Sequence, residues 1–166
     1  MKEVRSLSFE LRPSLLDHFG ILSAIRGYSK NFSERTNINV VVRGRNITER
    51  FPPEVEILFY RCAQEALTNV AKHSKAKRVT IDIVHYESNL RMKIKDNGNG
   101  FDVNRHFEKN VNGSSLGLFG MRERVALLGG KLKIHSERNR GTELEVLAPF
   151  KFNTIKNTYS KVNENV

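Results

Sequence analysis

Four side chains able to do chemistry recur within Cys62–Ser74, "CAQEALTNVAKHS": Glu65, Asn69, Lys72 and His73. On a helix, Asn69 falls about 40° from Glu65, Lys72 about 20° to the other side and His73 about 80° away. All four share an arc of roughly 100°. Val55, Phe59, Cys62, Ala66 and Val70 make an overlapping apolar stripe, so the polar set borders the face the helix buries. An amide oxygen such as that of Asn69 is a hard ligand suited to Mg²⁺. Lys72 can neutralise phosphate charge, and Glu65 can act as a base or orient a hydroxyl or a water. A solvated helix edge would carry the same residues, so this set does not decide the matter alone.

Further on, "DNGNGF" (Asp96–Phe101) ends a strand-like segment in an acid and two glycines. A carboxylate there can accept a hydrogen bond from an exocyclic amine such as adenine N6, while Gly98 and Gly100 permit positive φ and close backbone approach. A turn after an edge strand reads the same way. A second glycine cluster, "GSSLGLFGM" (Gly113–Met121), opens the next helix, whose first N–H groups and dipole suit an anion. Gly141 and Thr142 begin the last strand.

Positioning these residues takes a layered domain. Residues 14–34 read as one helix, with Leu15, Phe19, Leu22 and Ile25 recurring at spacings of three and four; Pro13 breaks it from residues 1–12. "INVVVR" reads as a strand, and "PPEVEILFYRCAQEALTNVAKH" as a helix of about twenty residues with prolines at its start. "RVTIDIVHY" and "LRMKIKD" alternate around Glu87-Ser88-Asn89 as a hairpin. Residues 102–116 are polar and glycine-containing and read as a mobile loop. "GMRERVALLGG" is a short helix closed by Gly129, and "KLKIHS" and "TELEVLAP" form a second hairpin across residues 137–141. The predicted fold class is α+β: a two-layer α/β sandwich with helices on one face of a mixed, mainly antiparallel sheet.

The 166 residues suffice for one buried core and are too few for two ordinary domains. No apolar run approaches the roughly 20 residues of a membrane span, and no signal-peptide pattern follows Met1. The lone Cys62 cannot form an internal disulfide, which fits a reducing, cytoplasmic setting; any membrane anchor would lie in other sequence. The net charge of +10 invites a nucleic-acid reading. Its cations are scattered without aromatic interleaving, however, so no direct nucleic-acid binding is expected. Attraction for a polyanionic ligand or an acidic partner protein accounts for the charge equally well.

Taken in order, "LRPSLLDHFGI", "YRCAQEALTNVAKHS", "DNGNGF", "SLGLFGMRERV", "LGGKLKIHS" and "RGTELEVLAP" resemble the histidine-kinase branch of the GHKL, or Bergerat-fold, ATPases. Within it, the likeness is to sensor kinases that signal to response regulators with helix-turn-helix output domains. It runs from about Glu3 to Pro149. The resemblance implies ATP and Mg²⁺ as cofactors, with Asn69 as metal ligand and Glu65 at the acidic position four residues before it. Lys72 and His73 would lie near the phosphates. Asp96 would read adenine, with Gly98 and Gly100 shaping its loop and Thr142 reaching the base beside it. Residues 102–116 would form a lid, and Leu116, Gly117, Leu118 and Gly120 the second glycine box. Ser115 stands where the family often has glycine, which bears on lid closure and nucleotide affinity.

The resemblance further implies that residues 1–12 end a dimerisation helix, 13–150 form the ATPase domain and 151–166 a flexible tail. None of the five histidines is followed by an acid, as the branch's phosphoacceptor is, so the acceptor would lie outside this chain. The expected activity is that of a protein histidine kinase fragment that does not autophosphorylate alone. Expected partners are the dimerisation helices, a second copy in the full-length homodimer, and the response regulator. The alternatives are another GHKL ATPase, a serine kinase of the anti-sigma type, or a non-catalytic basic binding module.

Overall fold

The computed structural model describes residues 14–103 and 116–151. The expectations for residues 1–12, most of the 102–116 loop and the tail beyond 151 fall outside them. The elements in chain order are α1 (Ser14–Thr36), β1 (Asn39–Arg45), α2 (Pro53–Asn69), a π turn (Val70–Ser74), β2 (Arg78–Tyr86), β3 (Asn89–Asp96), α3 (Leu116–Leu127), β4 (Lys131–Ser136) and β5 (Thr142–Pro149). The sheet order is β1-β2-β3-β5-β4, with β1 parallel to β2 and every other pair antiparallel. This is the mixed, mainly antiparallel sheet the alternating segments predict.

Period-two patterning assigns the faces. Val79, Ile81, Ile83, Leu90, Met92, Ile94, Leu144, Val146 and Ala148 are buried beneath the helices. Thr80, Asp82, Arg91, Lys93, Glu143 and Glu145 alternate with them on the opposite face. The helix stripe behaves as its spacing requires: Val55, Phe59, Cys62, Ala66 and Val70 are all buried. Burying Val55, Phe59 and Val70 contributes about 1.5–3 kcal/mol each.

The apolar face predicted for the first helix is not the one it buries: Leu15 and Phe19 are exposed, and Leu16, Ile21 and Ala24 join Ile25 in the core, because the break at Gly20 resets the helix phase. Three further local features depart from the sequence reading. The first helix is two segments joined at Gly20, whose φ of 76° and ψ of −179° only glycine adopts readily. Arg50 reaches across to satisfy carbonyls freed by that break, donating from Nη1 to Asp17 O at 2.8 Å and from Nη2 to Leu16 O at 2.9 Å. The end of the long second helix loosens into the π turn and stops at Lys75, in left-handed geometry with φ 54°. The first hairpin loop is Glu87-Ser88, because Asn89 already pairs with Tyr86. Glu87, at φ 52°, makes that two-residue turn.

Candidate functional site

The polar edge of α2 meets the ends of β3 and β5 around a hollow of about 400 Å³. Ala66, Asn69, Val70, His73 and Ser74 form one wall, and Ile94, Asp96, Thr142 and Leu144 the sheet side. Gly100, Phe101, Gly117 and Leu118 complete the lining. The volume falls in the usual range of small-molecule sites, and the mix of apolar walls with a few convergent polar groups is typical of them.

Asp96 is 6% exposed. Its Oδ1 accepts the Gly98 N–H at 2.7 Å, and Thr142 bonds the carboxylate through both its N–H and its hydroxyl. Burial pushes the Asp96 carboxyl above its ordinary value. The Gly98 N–H and the two Thr142 groups pull it down without offsetting the burial. Thr142 is held in turn by Ser136, whose Oγ lies 2.9 Å from Thr142 Oγ1, donates to Gly141 O at 3.1 Å and accepts the Phe101 N–H at 2.8 Å. An ionised Asp96 takes the Thr142 hydroxyl hydrogen, so the single Ser136 hydroxyl hydrogen is shared between Gly141 O and Thr142 Oγ1. Among the described residues, the hydrogen-bond donors to Asp96 are all neutral.

The π turn fastens this loop to the helix. Ser74 O accepts the Asn99 N–H at 2.7 Å, while Ser74 Oγ donates to Val70 O at 2.9 Å and accepts the Ala76 N–H at 3.0 Å. A Cβ on Gly98 would overlap Ser74 O, and one on Gly100 would overlap Glu137 O, so backbone crowding excludes larger residues at both. Asn97 Oδ1 accepts the N–H groups of Lys77 at 3.0 Å and Arg78 at 2.9 Å, tying the loop to the start of β2.

Of the residues singled out from the sequence, Asn69, His73, Asp96, Gly100, Gly117, Leu118 and Thr142 converge on the hollow. Gly98 packs on the Ser74 backbone and does not line the hollow. Glu65 packs on Gly117, where a Cβ would overlap its Oε1, and so sits against the start of α3 without lining the hollow. Lys72 is exposed and Gly120 faces Arg124; neither lines it. Leu116 opens α3. Ser136, Ser74, Asn97 and Phe101 went unnoticed in the sequence. Only Asn97 carried a signal, the Asn-Gly pair of a tight turn.

Among the described residues no group of three or more His, Cys, Asp or Glu could hold a metal by itself. Asn69 offers one neutral oxygen beside the hollow. That suits Mg²⁺, which takes few protein ligands and completes its octahedron with phosphate oxygens and waters. Cys62, 2% exposed, is pushed up to about 12 by burial and is a structural thiol.

The chain is similar to known histidine kinases. Over 149 residues (90% of this chain) the sequence is 40% identical to the signal transduction histidine-protein kinase/phosphatase DegS of Brevibacillus brevis. Over 147 residues (89%) it is 38% identical to the oxygen sensor histidine kinase NreB of Staphylococcus carnosus. The chain spans only 37% and 41% of those two relatives. Among solved structures, full-length ShkA in complex with AMPPNP superposes with a TM-score of 0.66 at 22% identity, over 78% of this chain and 30% of that one. The histidine kinase domain of the Erythrobacter litoralis EL346 blue-light activated histidine kinase gives 0.59 at 21% identity, over 75% and 58%. These likenesses establish the fold. Residues 54–151 match the family described as histidine kinase-, DNA gyrase B- and HSP90-like ATPase; the chain belongs to that family.

Proposed function

We propose that this chain is the catalytic and ATP-binding domain of a two-component sensor histidine kinase. Its role in the whole protein is to pass the γ-phosphate of ATP to a histidine on a dimerisation helix outside this chain, for relay to an aspartate of a response regulator. One observation carries the reading: Asp96 and Asn69 line the same hollow from opposite walls. Asp96 accepts the adenine N6 amine, and Thr142 and Ser136 fix the carboxylate for it. Ala66, Val70, Ile94, Leu118 and Leu144 supply the apolar slot for the ring. His73 and the first N–H groups of α3 face the phosphates, with Lys72 reaching in from the exposed turn. Asn69 would hold Mg²⁺, which would supply neutralisation of the phosphate charge. Catalysis here is positioning and electrostatics, as in other phosphoryl transfers.

Glu65 is the residue for orienting the attacking imidazole, and its contact with Gly117 couples it to the position of α3. The fragment alone turns ATP over poorly, because no acceptor docks. In the whole kinase the further partners are a second copy in a homodimer and a helix-turn-helix response regulator, in the cytoplasm and without direct nucleic-acid contact. The two curated relatives are histidine kinases, which sets aside the serine-kinase and basic-module alternatives.

Calorimetric titration with ATP tests the proposal. Binding should require Mg²⁺, weaken in Asn69→Ala and fall about 10- to 100-fold in Asp96→Asn. Unchanged affinity in both variants would overturn it.

A further inference from the structure

The face of the sheet away from the helices carries side chains in rows that cross all five strands. One row reads Arg43, Asp82, Lys93, Glu145, Lys133 from β1 to β4. Its charges alternate and pair: Arg43 with Asp82 at 4.0 Å, and Lys93 and Lys133 each with Glu145 at 3.8 Å. The next row, two residues farther from Asp96 along β3, reads Arg45, Val84, Arg91, Leu147, Lys131. It holds three cations and no acid. Arg91 lies over the ring of Tyr86, 5.8 Å from its centroid. Arg45 and Lys131 are exposed and form no ion pair among the described residues. The cations sit on alternate strands, about 10 Å apart, with Val84 and Leu147 between them.

We propose that this row docks an acidic amphipathic helix of a partner protein, laid across the strands. The match is one of spacing. Neighbouring strands lie about 4.8 Å apart, so the row offers cation, apolar, cation, apolar, cation at roughly 5 Å steps over about 19 Å. A helix rising 1.5 Å per residue places positions i, i+3, i+7, i+10 and i+14 at about 0, 5, 10, 15 and 21 Å. Carboxylates at i, i+7 and i+14 then meet Arg45, Arg91 and Lys131, and apolar residues at i+3 and i+10 cover Val84 and Leu147. The sheet twist, roughly 20° per strand, is followed by the long stems of the outer cations. Phosphate-bearing surfaces such as duplex nucleic acid or an anionic bilayer would use the cations but leave Val84 and Leu147 uncovered.

The test uses a labelled 18-residue helical peptide with Glu at positions 2, 9 and 16 and Leu at 5 and 12, against a permuted peptide of the same composition. Fluorescence anisotropy with the full 166-residue chain at about 150 mM salt should show the patterned peptide binding at least tenfold tighter. Arg45→Glu/Lys131→Glu should lower that affinity at least tenfold. Arg26→Glu/Lys30→Glu, an equal charge change on α1, should leave it within twofold. ATP affinity, measured in both variants, should be unchanged and reports that the fold is intact. Equal binding of the two peptides, or equal losses in the two variants, would reduce the row to bulk charge and overturn the proposal. So would tighter binding of duplex DNA or phosphatidylglycerol vesicles that depends on Arg45 and Lys131.

Discussion

Two buried carboxylates, one at each end of the helical layer, are put to opposite uses. Glu56 is 0% exposed and consumed. Its Oε1 accepts from Arg50 Nε at 2.9 Å and from the Phe51 N–H at 3.2 Å, and its Oε2 from Arg50 Nη2 at 2.8 Å. Through Arg50 it holds the broken first helix against the start of α2. Asp96 is nearly as buried but meets only neutral donors, beside a hollow. A cation completes the first acid; the second keeps acceptor capacity for a ligand. The lesson is that burial of an acid does not mark a site, whereas burial without a counter-charge, next to empty space, does.

The sharpest way to break this contrast is Arg50→Ala. It strands Glu56 without its cation, and about 3–5 kcal/mol of stability should go with it. In a thermal melt this is a fall of roughly 10 °C. Arg50→Lys should recover only part of it, because one ammonium cannot span Glu56 and the carbonyls of Leu16 and Asp17 together. A melting temperature equal to wild type in Arg50→Ala would mean that the pair contributes nothing net.

At the other end, Gly98→Ala forces its methyl into Ser74 O. The expected loss is about 1–3 kcal/mol, accompanied by weaker ATP binding, since loop and π turn must separate. Asp96→Asn should do the reverse of Arg50→Ala. Stability should change by under about 1 kcal/mol, while nucleotide affinity drops about 10- to 100-fold through loss of a charged hydrogen bond. A large stability loss in Asp96→Asn would erase the distinction between the two acids.

The smallest effect is a pH dependence. Because burial raises Asp96 above its ordinary 3.8, its stabilising contribution is complete below that pH and is lost as pH rises through the raised value. Any stability advantage of wild type over Asp96→Asn should therefore shrink from pH 4 upward. ATP affinity should move the other way, growing as the carboxylate ionises. Parallel melts and titrations of both proteins between pH 4 and 7 read the two trends.

Much of this was legible in the chain. The period-two strands, the α2 stripe and the tight loop of Gly98 and Gly100 reflect local rules of backbone and burial, and the structure keeps them. The break at Gly20 was not legible, because a helix-compatible apolar spacing runs straight through it. What stabilises the break is a guanidinium that is 33 residues from Asp17 and 34 from Leu16 in sequence. Ser136 was equally silent: a serine ending a strand has no meaning until β4 lies beside β5 and Phe101 crosses above it.

The sequence by itself determined the order of elements, the faces buried by α2 and the strands, and the residue types offered to a nucleotide, since these depend on neighbours within a few positions; the face α1 buries was not among them. Only the tertiary structure decided which acid is spent on a cation and which keeps its acceptor for a ligand. It also decided which cations on the open face find a partner, with Arg43, Lys93 and Lys133 paired and Arg45 and Lys131 without an ion pair among the described residues. Desolvation and pairing are set by atoms brought in from distant parts of the chain, and strand register, not sequence proximity, chooses those atoms.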